Sequence, residues 1–337
     1  MAPILIRSIS LMISYVIRRL IVMFFTFLLA TALIFSIIQL PPGSYADYAL
    51  SFLAAEGGQT TKLGNRIKER YGLDKPLYRQ YYEWVEGIFR GDLGFSLTYR
   101  RPVAEVIADE ILWTFLITGL AFGFAWITGI AIGIYSATHK YSILDHLFTF
   151  FGFVGLSIPN FVLAMFLIYF MVSAGTGITG GLFSDRFVGA PMSWAKFVDL
   201  LKHIWMPVVA IGTARMASVI RIMRGNLLEV INQPYIKTAR SKGLRETKVI
   251  LKHAVRVAIN PLISLAGSLA PRLVSGIVVT AVVLNLPVIG PSFLESLKAQ
   301  DMYLAGAYLL VILMLLLVGN LLADLALAAV DPRIRYE

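Results

Sequence analysis

Long stretches without Asp, Glu, Lys or Arg dominate the chain, and four of them, Leu20–Ala46, Ile111–His139, Leu147–Ser184 and Met302–Ala323, are each long enough for one membrane crossing. A helix needs about 20 predominantly apolar residues to cross a hydrocarbon core of about 30 Å. Two further apolar runs are interrupted by arginine: Ile204–Met223 contains Arg215 and Arg221, and Pro261–Asn285 contains Arg272. Both are spans provided that those arginines face protein or water. The pattern predicts an all-α membrane protein with six transmembrane helices, at 20–40, 111–138, 147–172, 204–223, 261–285 and 302–323. The first run exceeds the roughly 7–15 apolar residues of a signal peptide and is read as a retained span.

Composition agrees. Of 337 residues 58% are hydrophobic and 15% charged, against about 25% charged in soluble domains. The absence of cysteine removes disulfide scaffolds, thiol nucleophiles and thiolate metal sites. The net charge of +10 raises the question of nucleic acid, and its distribution answers it. With both termini inside, segments 1–19, 140–146, 221–260 and 324–337 hold 15 Lys and Arg against 6 Asp and Glu. The external segments 47–110, 185–203 and 286–301 hold 13 against 14. Positive charge collects on the side that stays in the cytoplasm, so topology accounts for the basicity and no nucleic-acid partner is expected. Residues 1–19 and 324–337 are then cytoplasmic termini, 41–110 an external cap with a periodic stretch at 61–89, and 173–203 and 286–301 external loops. The loop 173–203 opens with a glycine-rich stretch, and Trp194–His203 is read as a short interfacial helix.

The largest cytoplasmic piece, 224–260, is the informative one. From Arg221 to Asn260 there are nine Lys or Arg against Glu229 and Glu246, with Pro234 and Gly243 as punctuation. This predicts two helical stretches separated by a break. Composition alone leaves two readings open, a basic segment against anionic lipid or a docking element.

Within it, Tyr235-Ile236-Lys237-Thr238-Ala239-Arg240-Ser241-Lys242-Gly243-Leu244, followed by His253-Ala254 and Asn260-Pro261, resembles the cytoplasmic signature loop of ABC importer permeases. The likeness is closest to the first permease subunit of dipeptide and oligopeptide importers, a family that also handles nickel and some oligosaccharides. Further motifs follow in that family's order: Tyr71–Leu77, Gly91-Asp92-Leu93-Gly94-Phe95-Ser96, Gly155–Phe161, Asn320–Asp324 and Asp331–Tyr336. Two positions depart from it, Ala281 where many relatives have glutamate and Val288 where they have glycine, which leaves peptide and oligosaccharide cargo both open. The resemblance implies the type I importer permease fold, a bacterial inner-membrane location, a second homologous permease, two ATPase subunits and an external substrate-binding protein. It also implies that Tyr235, Lys237, Thr238, Ala239, Arg240, Lys242 and Gly243, with Glu229 before them, couple the chain to an ATPase.

The chain has no Gly-Lys pair, so it lacks the Gly-rich loop ending in Gly-Lys-Ser/Thr that cradles phosphates. It is expected not to be an enzyme, with ATP and Mg bound by partner subunits and no cofactor of its own. Candidate path residues are Arg272 and Arg215, Pro159 and Asn160 in the third run, and Asn285. For Arg272 a path role and a structural ion pair stand equally, and for Arg215 pairing or snorkelling is favoured. The four histidines show no metal-ligand spacing, so no metal site is expected. A secondary transporter would need inverted repeats or a mid-membrane acid, and an intramembrane enzyme paired catalytic groups within spans. Neither pattern is found.

Overall fold

The computed structural model describes residues 2–39, 75–96, 98–266 and 277–330. Arg272, the first part of the cap with Tyr71–Asp74, and the motif 331–336 lie outside the described residues. In chain order the elements are α1 (Ala2–Gln39), α2 (Leu77–Arg90), the antiparallel ribbon of β1 (Phe95–Ser96) and β2 (Arg101–Pro102), α3 (Val103–Thr138), α4 (Ile143–Ser157), α5 (Asn160–Ser173), α6 (Trp194–Ile231), α7 (Pro234–Ser241), α8 (Glu246–Ala258), α9 (Asn260–Ala266), α10 (Val278–Val283), α11 (Ile289–Lys298) and α12 (Met302–Val330). Phe95 stands opposite Pro102 and Ser96 opposite Arg101.

Among the described residues four helices are long and apolar enough to cross a membrane: α1 over Ile17–Ile37, α3, α6, and α12 over Met302–Leu322. The bent pairs α4–α5 and α8–α9 raise the number to six if each is one span. Helices are the expected answer to hydrocarbon, where every backbone N–H and C=O must find its partner within the chain.

The boundaries differ from the sequence expectation at several elements. The third run is not one helix over 147–172 but two, α4 and α5, inclined at 104°. Ile158 precedes Pro159, which bars it from helical geometry; it takes φ −86°, ψ 121°, Pro159 takes φ −58°, ψ 139°, and a new helix starts at Asn160. The short helix expected at Trp194–His203 is instead the beginning of the 38-residue α6, capped by the Ser193 hydroxyl, which accepts from Lys196 N at 3.2 Å. At about 1.5 Å per residue α6 is about 57 Å long, longer than a bilayer core, and it continues through the buried Pro207. α3 begins at Val103, within the expected cap, and the expected fifth span is described only at 261–266 and 277–285.

Two compact units emerge, Met1–Leu112 with Val288–Leu317, and Trp113–Pro287 with Val318–Glu337. In the first, Val103, Val106 and Ile107 of α3 pack with Ile289 of α11 and Leu304, Ala307 and Tyr308 of α12. A buried and a half-buried carboxylate tie its segments together: Ser96 Oγ donates to Asp301 at 2.6 Å, Thr98 N to the same oxygen at 3.1 Å, and Tyr308 OH to Glu110 at 2.9 Å, with Ser292 donating to Glu110 as well. Tyr99 OH donates to Glu295 at 2.8 Å, and burial together with that carboxylate pushes its phenol up to about 12. Gly94 of the Gly91–Ser96 motif lies against the Tyr303 ring, where a Cβ would come within 2.5 Å of the ring.

In the second unit α3 and α6 approach at glycine. A Cβ on Gly129 would stand 2.8 Å from Val219 Cβ, and one on Gly133 2.7 Å from Met223 Cβ. Between membrane helices, where lipid is as apolar as leucine, such close van der Waals packing carries the association. Elsewhere in this unit the Gly181 N–H donates to Leu284 O at 2.6 Å, and a Cβ on Gly180 would fall 2.8 Å from that oxygen. The glycine-rich loop is therefore tightly turned against the end of α10.

Gly133→Ala is expected to lower the melting temperature of the detergent-purified chain, at an overpacking cost of about 1–3 kcal/mol. Gly123→Ala, whose Cβ meets nothing within 4 Å, should be neutral or stabilising because alanine favours helix by about 1 kcal/mol over glycine. Equal melting temperatures for the two variants would refute the close crossing.

Candidate coupling surface

The helix α7 follows from local sequence. α6 ends at Ile231, where Asn232 N and Gln233 N turn back to Glu229 O and Val230 O at 3.3 and 3.1 Å. Pro234 occupies the first helical turn of α7, where its missing N–H costs nothing. α7 stops at Gly243, whose N–H donates to Arg240 O at 2.9 Å and whose φ is +74°, the left-handed region that glycine enters without a Cβ penalty.

Its two faces differ sharply. Ile236 is fully buried and Ala239 nearly so, among Met223 and Leu227 of α6, Val249, Ile250 and Ala254 of α8, and Ala137 of α3. Tyr235, Lys237, Thr238, Arg240, Ser241 and Lys242 are exposed, as are Gly243, Arg245 and Lys248. The sequence-predicted docking residues from Tyr235 to Gly243 are therefore brought onto one short helix and its stop, all but Ala239 on its exposed face. Ala239 points inward and holds the helix in place. Glu229 lies exposed in the last turn of α6. On the exposed face Arg240 is partly spoken for: its Nε and guanidinium nitrogen donate to Glu246 at 3.1 and 2.7 Å, which holds that carboxyl below the usual range. Lys237 and Lys242 carry the rest of the positive charge next to it. The α8 backbone beneath α7 widens to a π-helical turn over Val249–Ala254, which contains His253.

The elements under α7 are fastened by a pair that sequence reasoning missed. Asp145, at the start of α4, accepts from Arg224 of α6 through two parallel bonds, Nε to Oδ1 and a guanidinium N–H to Oδ2, both 2.9 Å. It also accepts from Tyr141 N at 3.0 Å. Only 2% of the Asp145 side chain is accessible. Asn226 Nδ2 donates to Ala258 O at 3.2 Å, fastening α6 to α8. The partners are 79 and 32 positions apart, so no local spacing exposes them. The remaining signal was an aspartate two residues inside a Ser-capped apolar run.

The candidate path residues occupy separate elements. Pro159 is exposed and Asn160 half-buried at the α4–α5 bend, Arg215 is half-buried within α6, and Asn285 is exposed at φ +50° in the turn that ends α10. Arg272 lies outside the described residues.

A helical, multi-pass chain that sets a short basic helix outside its spans has the make-up of a transporter's membrane subunit. The chain belongs to the family described as binding-protein-dependent transport system inner membrane component, whose model matches residues 129–336, and the N-terminal model of the same transport-system membrane component matches residues 12–118. It is thus an ABC importer permease subunit. It is similar to the oligopeptide transport system permease protein AppB of Bacillus subtilis (strain 168), 34% identical over 96% of this chain and 100% of the relative. The dipeptide transport system permease protein DppB of Escherichia coli (strain K12) is 32% identical over 97% and 100%, and the glutathione transport system permease protein GsiC of Shigella flexneri serotype 5b (strain 8401) is 32% identical over 97% and 100%.

Arg224→Ala is expected to destabilise the purified chain by about 3 kcal/mol, because it strands a buried carboxylate. The double replacement Asp145→Leu with Arg224→Met should recover most of that loss in the same denaturation measurement. Additive losses would show that the two side chains do not act as a pair.

Proposed function

We propose that the chain builds half of the translocation path of a bacterial peptide importer, paired with a second homologous permease and driven by two ATPase subunits that bind ATP and Mg. The observation that carries this reading is the division of α7, with Ile236 and Ala239 fixed in the chain's own core and Tyr235, Lys237, Thr238, Arg240 and Lys242 presented outward. A helix anchored on one side transmits a push without sliding, and a basic outer face complements acidic groups on a docking partner. The names of the relatives, which speak of oligopeptide, dipeptide and glutathione transport, favour peptide cargo. The positive-inside distribution of Lys and Arg favours cytoplasmic termini, with α7 on the ATPase side.

In this reading a loaded substrate-binding protein docks on the cap and external loops, and closure of the ATPases on ATP displaces α7. The helices then rock between outward-open and inward-open states. Coupling requires that the binding protein and the nucleotide each favour one state over the other. The docking face is exposed and charged, so its contribution weakens with salt over a screening length of about 8 Å at physiological ionic strength.

The test is ATP hydrolysis by the complex reconstituted with its ATPases and binding protein. Short peptides are expected to stimulate it, and stimulation by oligosaccharides alone would replace peptide with carbohydrate cargo. No neighbour lies within 4 Å of a Cβ on Gly243, so the penalty of substitution there is conformational. Gly243→Val should reduce stimulated hydrolysis severalfold, while Gly243→Asn, which tolerates the left-handed region, should keep most of it. Full stimulation in the valine variant would refute transmission through α7.

A further inference from the structure

The amphipathic helix α2 carries three stripes at helical spacing, and each faces a different surrounding. Residues three and four apart lie on one side of a helix. Tyr81, Trp84 and Ile88 form the stripe against the protein. Tyr81 OH lies 3.0 Å from Thr31 Oγ1 and donates to Leu28 O at 3.2 Å, while Trp84 and Ile88 pack with Ile34 of α1 and Leu310 and Leu313 of α12. Arg79, Glu83, Glu86 and Arg90 form a second stripe, charged and internally paired through Glu86 and Arg90. Between them runs a third, Tyr78, Tyr82 and Phe89, which is 72%, 68% and 68% exposed.

The depth of α2 follows from α3 and α12, whose first turns pack together, Val103, Val106 and Ile107 with Leu304, Ala307 and Tyr308. On α3 the last exposed charge is Asp109, paired with Arg101, and after the half-buried Glu110 no Asp, Glu, Lys or Arg follows before Lys140. Hydrocarbon therefore begins near Ile111, which packs against the same cluster as Val311. Trp84 and Ile88 pack against the cluster that Ile34 of α1 forms with Leu310, Leu313 and Leu317 of α12, which begins one residue before Val311. α2 thus lies against the end of the spans where α3 begins, alongside α1 from Phe27 to Phe35, and a helix in that place has three neighbours: bundle, lipid and water.

We propose that Tyr78, Tyr82 and Phe89 form a lipid-binding stripe that seats α2 in the headgroup and upper acyl region of the leaflet where α3 begins. The stripe continues the exposed apolar face of α1, since Phe89 contacts Phe27 edge-on at 6.1 Å and Phe25, Leu29 and Leu33 of α1 are more than half exposed. Tyrosine suits this zone, with an apolar ring and a polar tip. The charged stripe has two arginines and two glutamates and so no net attraction to anionic lipid; the seating rests on the aromatic side chains.

The chain has no native cysteine, which allows single nitroxide labels in the reconstituted complex. Labels at Tyr78→Cys, Tyr82→Cys and Phe89→Cys, in vesicles of phosphatidylethanolamine and phosphatidylglycerol, are compared with Phe25→Cys as the lipid reference and Glu83→Cys as the water reference. The expected result is relaxation by oxygen over a water-soluble nickel chelate at 78, 82 and 89, as at 25, with the reverse at 83. Protection from both reagents at 78, 82 and 89 would show a protein partner on the stripe and overturn the proposal, as would nickel accessibility equal to that of 83. Three label sites keep the test intact if one variant fails to assemble.

Discussion

The presentation of α7 in this permease depends on the burial of Ile236. Removing one such side chain from water is worth about 1.5–3 kcal/mol, and an eight-residue helix is too short to hold its shape unaided. α7 exists as a helix because Ile236 and Ala239 insert among α3, α6 and α8, and its basic face is presented outward as a consequence. The seat in turn requires α3 and α6 to stay in register, which Gly129 and Gly133 permit by letting the backbones approach. The Asp145–Arg224 pair adds a charged clamp where α4 begins. Loss of any of these would leave the charges of α7 in place but without a fixed position.

Interruption of helices has a local cause wherever it occurs. At Ile158–Pro159 the ring of proline forbids the helical conformation one residue earlier, and the chain turns by 104°. At Gly91, Asn285 and Gln300 a residue of positive φ closes a helix while the next N–H reaches back five residues, to Gly87, Ala281 and Ser296. These closures satisfy carbonyls that would otherwise be left without donors at the ends of α2, α10 and α11. Pro207 inside α6 breaks no helix, since it lies buried within a 38-residue segment.

The six apolar runs and the break at Pro234 and Gly243 were legible because they rest on composition and on residues with fixed backbone preferences. Helix ends were less so. α3 and α6 begin well before their apolar windows, at Val103 and Trp194, because a helix continues past the membrane wherever no proline or glycine stops it. The division of α7 into a seated and a presented face was readable only in part: the residues of α7 stood out, but that Ala239 belongs to the seat depends on which turn faces α6. Least legible were Asp301 with Ser96, Glu110 with Tyr308 and Asp145 with Arg224, whose partners are 205, 198 and 79 positions apart. In a membrane chain such carboxylates are the residues that pattern reading assigns to loops or span ends.

The two departures from the family pattern have a physical reading that bears on cargo. Val288 takes φ −128° and ψ 162°, an extended conformation open to any residue, so the backbone does not demand the glycine many relatives carry there. Ala281 is wholly buried in α10 and Val288 nearly so. A side chain without accessible surface acts on cargo only through what it packs against, and a glutamate at Ala281 would require a buried partner for its charge. These substitutions therefore adjust the packing of α10 and of the approach to α11. Neither side chain reaches the surface to meet a peptide or a sugar in this state, and the departures do not by themselves move the chain away from peptide transport.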